Sequence, residues 1–537
     1  MRATRRPSAD VSQATPQPGE RGTWVVLAMV VVGMTMVAYN TTAVITILPW
    51  LKSEFDLRPT TLQWVMSIYT VAAAAVLPVL GRVGDLVGKM NIYVLGLASF
   101  GLGALAVASA DGAALLLLGR LGQGIGAGAL LGSALAVLSA ATPEPRRPFV
   151  VGLWGAALAL GLSAGPLVGG AFAEYLSWRG VFVSDLVLVA VDVFLVVWVI
   201  RAGYVPETKR TGARFDYEGA VALVLLLGPL AFALTEGPER GWADPVTLGC
   251  LAVAGAAAFA FVPIERRRRE PVLDLGYLRQ PRFLMAALGM LVVGVFLTGV
   301  FISFTVFVQA PDTFGLSPVM AGAAVLPLSG TMFLFAVTAP RLLGPYNLRL
   351  PVIVGMLALA SGCSLLAGIG DETTYARIWW QLIVVGIGFG LTQPLLPHAG
   401  LRLLPDTQAG QGSGVINTCL YLGASLGVVL GGVIGAMTVR ARIGPVLDDL
   451  PVDSAERATL SATLAHGSAA DVQEALGALE PSAGATLRAA LGAVLDDAFD
   501  HTMLALAVIG LVGALLAAWL MRGPVPPPHA YRSGRGS

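Results

Sequence analysis

Charge is scarce in this chain. Only 12% of its 537 residues are Asp, Glu, Lys or Arg, about half the roughly 25% of an average soluble domain. So few charged groups cannot cover a mostly water-facing surface. The net charge is +1, which removes the basic field that nucleic-acid binding requires. Cysteine is scarce too. Cys250, Cys363 and Cys419 lie far apart in apolar stretches, a spacing that excludes a disulfide framework and a Cys-x-x-Cys metal site. No His, Cys and carboxylate cluster has metal-ligand spacing. Gly122-x-Gly124-x-Gly126 and Gly386-x-Gly388-x-Gly390 have no strand before them and no ribose-binding acid after them, so neither is a dinucleotide loop. No ring of repeated polar residues marks a channel. The chain is read without enzyme chemistry, metal or cofactor.

What is abundant is apolar sequence: 56% of residues are hydrophobic, with 65 glycines, as expected where helices pack closely in lipid. A spanning helix needs about 20 mainly apolar residues. Fourteen such runs occur, near 24–49, 63–81, 91–109, 114–141, 149–172, 179–201, 217–235, 246–264, 283–308, 318–340, 350–369, 378–399, 412–437 and 501–521. The first run is too long for a signal-peptide core and is read as a retained helix. An even count puts both termini on one side. That side then holds 24 of the 34 Lys and Arg, including Arg266 to Arg269. Such an excess marks the cytoplasmic face. The expectation is a multi-pass cell-membrane protein, monomeric, with both termini in the cytoplasm. Residues 1–22, rich in Pro, Arg and Ser, are expected to be disordered. Residues 440–500 are expected to form an external loop with a helix near Ala483 to Asp497.

Three glycine-rich patterns sit at defined places. The first, after span two, runs Gly81-Arg82-Val83-Gly84-Asp85-Leu86-Val87-Gly88-Lys89. Gly88 permits a tight turn, and Asp85 at a helix end can face the positive N-terminus of another helix. In span four, Arg120 lies two turns inside an apolar helix, where a charge is costly and functional by default. In span five, Gly152, Gly161, Gly165, Pro166, Gly169 and Gly170 give a smooth, small-residue face with one lost backbone hydrogen bond at the proline.

These residues resemble the major facilitator superfamily, in particular its fourteen-helix drug–proton antiporter branch. Residues 81–89 are similar to the superfamily's loop signature. Residues 152–170 keep every spacing of the antiporter signature. Trp64 to Tyr69, Trp178-Arg179, Leu234 to Pro238 with Gly241-Trp242, and Glu270 to Leu275 also fit. The resemblance implies an all-α membrane fold of two six-helix bundles plus two extra helices. On that reading the N-terminal bundle is 23–205, the extra pair 206–265, the C-terminal bundle 266–522 and the tail 523–537. It further implies export of a small, amphipathic drug or antibiotic by alternating access, driven by protons. Asp85 would contact the start of span thirteen, near Gly410 to Gly414. An uncoupled facilitator or importer of a small metabolite is the alternative.

One departure bears on coupling. Relatives commonly carry an aspartate in span one where this chain has Asn40, and an amide cannot exchange a proton near neutral pH. Two acids in span six can compensate. Asp185 and Asp192 are seven residues apart and share a helix face. By helical rise, Asp185 and Arg120 both lie roughly 10 Å below the same membrane face. Asp185 is therefore the candidate counter-ion of Arg120 and Asp192 a candidate proton carrier. The rival reading has both acids simply pairing with polar groups of packed helices. Candidate cavity residues are Phe301, Phe304, Gln309, Asn417 and Tyr421, because a drug cavity uses aromatic groups with a few polar ones.

Overall fold

A computed structural model describes residues 20–57, 59–143, 146–205, 216–268, 276–310, 313–343, 346–368, 375–404, 409–448 and 481–523, with five isolated positions between 449 and 480. Among these residues there is no strand. The helices are α1 (Glu20–Phe55), α2 (Pro59–Val87), α3 (Lys89–Ala108), α4 (Ala113–Ala140), α5 (Arg147–Tyr175), α6 (Arg179–Arg201), α7 (Tyr217–Arg240) and α8 (Pro245–Arg267). They continue with α9 (Pro281–Gln309), α10 (Pro318–Ala324), α11 (Leu326–Leu343), α12 (Arg349–Leu366), α13 (Tyr375–Leu401), α14 (Ala409–Asp448) and α15 (Pro481–Leu520). Fourteen of the described helices are long and apolar enough to cross a bilayer.

The expected spans all appear, with three changes of outline. Glu20, Arg21 and Gly22 already belong to α1, so the helix begins inside the segment expected to be disordered; residues 1–19 lie outside the described residues. The run at 318–340 is two helices, α10 and α11, meeting at Val325. Pro327 sits in the first turn of α11, where its missing N–H costs nothing but where α10 cannot continue its own ladder through it. Residues 440–448 and 481–500, expected in a loop with a helix near Ala483 to Asp497, are continuous with the spans: that helix lies within the extension of α15, and α14 and α15 are each 40 residues long. At 1.5 Å per residue each helix is about 60 Å long, twice the roughly 30 Å hydrocarbon core. Arg442 and Asp497 pair at 2.5 Å between these extensions.

Helices α1 to α6 share apolar cores that include Tyr69, Phe100, Trp154 and Phe182. Helices α9 to α15 share another, including Phe283, Phe296, Phe389 and Phe499. The two bundles meet where α5 packs on α10 and α11, and where α2 and α4 pack on α14. Helix α7 lies over α2 and α14, and α8 packs on α7. This extra pair therefore covers one seam between the bundles. Phe259 of α8 is 85% exposed, which suits a lipid-facing helix.

The small residues of α5 explain this arrangement. A methyl group at Gly165 would lie 2.8 Å from Ala43 N, and one at Gly169 would lie 2.8 Å from Ala43 O. Gly161 meets Thr35 to Tyr39 in the same way. Backbone therefore packs on backbone along the α1–α5 seam. Gly152 faces the other bundle, where a methyl would lie 2.8 Å from Ala336 O. Pro166 sits inside α5 without ending it, and Gly170 is buried.

Candidate functional site

A buried polar network lies in the N-terminal bundle beside a cavity between the bundles. Arg120 of α4 is fully enclosed. Its Nε donates to the carbonyl of Val65 at 2.9 Å, and its guanidinium lies 4.5 Å from the centre of the Tyr69 ring. Nη1 donates to Oδ1 of Asn40 and, at 3.0 Å, to Oε1 of Gln123. Each amide then hands the polarity on. Asn40 Nδ2 donates to Oδ2 of Asp185 at 2.5 Å, and Gln123 Nε2 donates to the same oxygen at 3.1 Å.

Two amides thus bridge a cation and a carboxylate in parallel, each with its oxygen toward the guanidinium and its nitrogen toward the carboxylate. Asp185 and Arg120 belong to one cluster, but the amides stand between them. Asn40, Arg120, Gln123 and Asp185 are all buried. Oδ1 of Asp185 has no hydrogen-bond partner among the described residues. An amide suits this bridge, because it carries an acceptor oxygen and a donor nitrogen, both uncharged, on one planar group.

Asp192 lies farther along the same seam. Its Oδ2 is 2.8 Å from the hydroxyl of Tyr93 in α3, and that hydroxyl is also 3.2 Å from the carbonyl of Met29. Gly33 of α1 leaves the space: a methyl there would come within 2.9 Å of Asp192 and would collide with the Tyr93 hydroxyl. Asp192 is buried and does not line the central cavity.

The cavity has a volume of about 130 Å³. Its wall is mainly aliphatic, with hydroxyls from Thr41, Thr42, Ser67 and Thr70 and the rings of Tyr69, Phe301 and Tyr421. Arg120 is the one charged lining residue described, and Gln393 adds an amide. At one end the bundles are sealed: a methyl on Gly414 would lie 3.0 Å from Cα of Pro78. The cavity lies on the other side of that seal, toward the α1–α2 turn.

Of the aromatic and amide candidates, Phe301 and Tyr421 line this cavity. Phe304 is instead buried in the C-terminal core, Gln309 donates to Thr305 O at the end of α9, and Asn417 donates to Ser413. Gly81 is buried against α4, and Gly88 adopts φ 110° between α2 and α3, a conformation glycine permits at no steric cost. Lys89 opens α3. The side chain of Asp85, and residues 270–275, lie outside the described residues. Gln123 carries the site without having been singled out in the sequence, and Tyr69 stands out there only as part of the Trp64 to Tyr69 resemblance. Gln123 is one turn from Arg120, and that spacing was the available signal.

At the opposite end from the seal, Glu54 accepts from Trp178 Nε1 at 2.5 Å and from Arg179 Nη1 at 2.7 Å. The Trp178 hydrogen bond, with the nearby Arg179 charge, holds the Glu54 carboxyl below its usual range. This ties the Trp178-Arg179 pair to the end of α1.

Fourteen apolar helices, arranged as two bundles with an extra pair around a central cavity, have the architecture of a membrane transporter. The sequence profile of the Major Facilitator Superfamily matches residues 30–428, and the chain belongs to that family. It is 28% identical to the multidrug resistance protein Stp of Mycobacterium tuberculosis, covering 80% of this chain and 79% of Stp. It is 30% identical to the tetracenomycin C resistance and export protein of Streptomyces glaucescens, covering 81% and 79%. Its fold is similar to the crystal structure of the human organic anion transporter MFSD10, with a TM-score of 0.57, 16% identity, and coverage of 92% of this chain and 99% of that one. The protein is therefore a multi-pass membrane transporter of small molecules rather than an enzyme.

Proposed function

We propose that this protein exports a largely apolar, amphipathic drug or antibiotic across the cell membrane, in exchange for protons. The observation that carries the reading is the Arg120–Asn40/Gln123–Asp185 network at the wall of an apolar cavity. A carboxyl group that reaches its cation only through neutral amides can gain or lose a proton without breaking an ion pair. Either change alters what Asn40 and Gln123 must donate, and both helices carrying those amides line the interbundle space. Asp185 is therefore the coupling residue, and Asp192 is a second candidate carrier on the same helix face.

The likeness to resistance and export proteins supports the outward direction. The excess of Lys and Arg supports a cytoplasmic position for both termini and for the Pro78–Gly414 seal. On that assignment the cavity faces outward in this structure. The small-residue packing of α5 on α1 and α11 supports rocking of one bundle against the other.

The test is efflux from proteoliposomes with an imposed pH gradient. Gradient-driven transport that collapses with a protonophore supports antiport. Transport indifferent to both gradient and protonophore supports the uncoupled carrier, the reading that Asn40 in span one favours.

A further inference from the structure

A second cavity of about 230 Å³ lies among α9, α14 and α15. It shares Thr298, Ile302 and Val428 with the central cavity. The two spaces therefore adjoin along the α9–α14 seam. Glycines at four-residue spacing on α14 show how the gap arises. A methyl on Gly423 would collide with Leu291, and one on Gly427 with Val295 and Thr298. At Gly431 the nearest atom is Ser303 Oγ at 3.9 Å, and at Gly435 nothing lies within 4 Å. Backbones that touch at the first two glycines have parted by the last two. The seam opens toward the end where Arg442 and Asp497 hold the extensions of α14 and α15.

We propose that this annex is a second substrate-binding subsite, the outer station through which the apolar part of the exported molecule leaves the central cavity. Close packing accounts for Gly423 and Gly427. It does not account for Gly431 and Gly435, whose open faces leave room for a ligand. The described lining carries hydroxyls from Thr298, Ser303 and Thr502 and no charged group. It suits a neutral, elongated apolar moiety with an occasional hydrogen-bonding group. The proposal rests on the export reading for its direction of travel and not for the existence of the site.

The test uses Nile red, a neutral amphipathic dye, in cells producing the full chain. Gly431→Phe fills the annex. Gly249→Phe on α8, where nothing lies within 4 Å, controls for a bulky residue exposed to lipid. At matched membrane levels, G431F is expected to lower dye efflux by about tenfold, the size of a steric mismatch in an apolar pocket, and G249F to leave it unchanged. A second arm reads binding without transport. Gly431→Cys is introduced in a chain whose Cys250, Cys363 and Cys419 are replaced by alanine, and a membrane-impermeant maleimide is added outside. Nile red is expected to slow alkylation several-fold. Absence of protection, or unchanged efflux in G431F, overturns the annex. Protection in a protein that does not export the dye retains the annex and defeats the export reading instead.

Discussion

Asn40 donates to Asp185 at 2.5 Å across the α1–α6 seam. The Asn40 amide of α1 is thus the direct partner of an acid on α6. The carboxyl group of this site lies on the α6 side of the seam, and Asn40 connects it to Arg120. Asn40→Asp is accordingly expected to place two carboxyl groups in contact, and Asp185→Asn to leave the site with no titratable carboxyl. The double exchange, Asn40→Asp with Asp185→Asn, restores one acid and one amide. Gradient-driven efflux in proteoliposomes is expected to be lost in D185N and partly recovered in the double variant.

Arg120 holds the network from the cavity side. Arg120→Ala removes the partner of two amides, a carbonyl and an aromatic ring, and leaves Asp185 buried without its cation. Removing one partner of a buried charged set costs about 3–5 kcal/mol. A large drop in the melting temperature of the purified protein is expected, together with loss of transport. Arg120→Lys keeps the charge but not the fork of donors. It is expected to recover part of the stability and little of the transport.

The sealed end rests on Gly414 against Pro78. Gly414→Leu forces α14 from α2, because a methyl alone would already lie 3.0 Å from Pro78 Cα. The seal is expected to open. A cysteine placed at Ser425, on the cavity wall, should then be alkylated several-fold faster by reagent applied from the cytoplasmic face. Gly165→Ala instead overpacks the α1–α5 seam, at a cost of about 1–3 kcal/mol, and should lower the melting temperature while leaving the sidedness of labelling unchanged.

How far these sites were legible in the sequence differs from one to another. The spans were legible because each needs only length and apolarity, and neither depends on neighbours. The level of Arg120 with Asp185 followed from helical rise alone. The two amides between them did not, because α1 and α4 converge on α6 only through the rotation of each helix about its axis, which hydropathy does not encode. The cavity candidates separate for the same reason. Phe301 and Phe304 are neighbours on α9 and both pack in the C-terminal core, yet only Phe301 also lines the cavity. The break at Val325 was signalled by Pro327, but an unbroken apolar run concealed it. The helix near Ala483 to Asp497 was legible, but its continuity with the last span was not, and the extension of α14 read as a loop because polarity does not distinguish a projecting helix from a loop.

Glu54 gives a pH prediction outside the membrane. Its carboxyl is held below the ordinary value by the Trp178 hydrogen bond and by Arg179. A depressed carboxylate contributes stability above its unfolded value, and that contribution is lost as pH falls through the folded one. Glu54→Gln is therefore expected to lower the melting temperature at neutral pH. The difference from the wild type should begin to narrow near about pH 4, where the ordinary carboxyl is protonated, and vanish only once the pH is below the depressed folded value. The effect is small, since the pair is largely exposed and screened.

Asp192 separates coupling from packing. Asp192→Asn keeps the shape and the contact with Tyr93 but cannot exchange a proton. If Asp192 carries a transported proton, the pH dependence of efflux shifts while the melting temperature changes little. A structural role reverses that pattern: stability falls, and the pH profile stays as it was.

The most direct measurement is proton release on substrate binding. Purified protein in weakly buffered detergent solution is mixed with Nile red, and the pH is followed with an indicator dye. The wild type is expected to release protons in proportion to bound substrate, and D185N to bind the dye without releasing them. Release of the same size from D185N would contradict the assignment of Asp185 as the coupling residue.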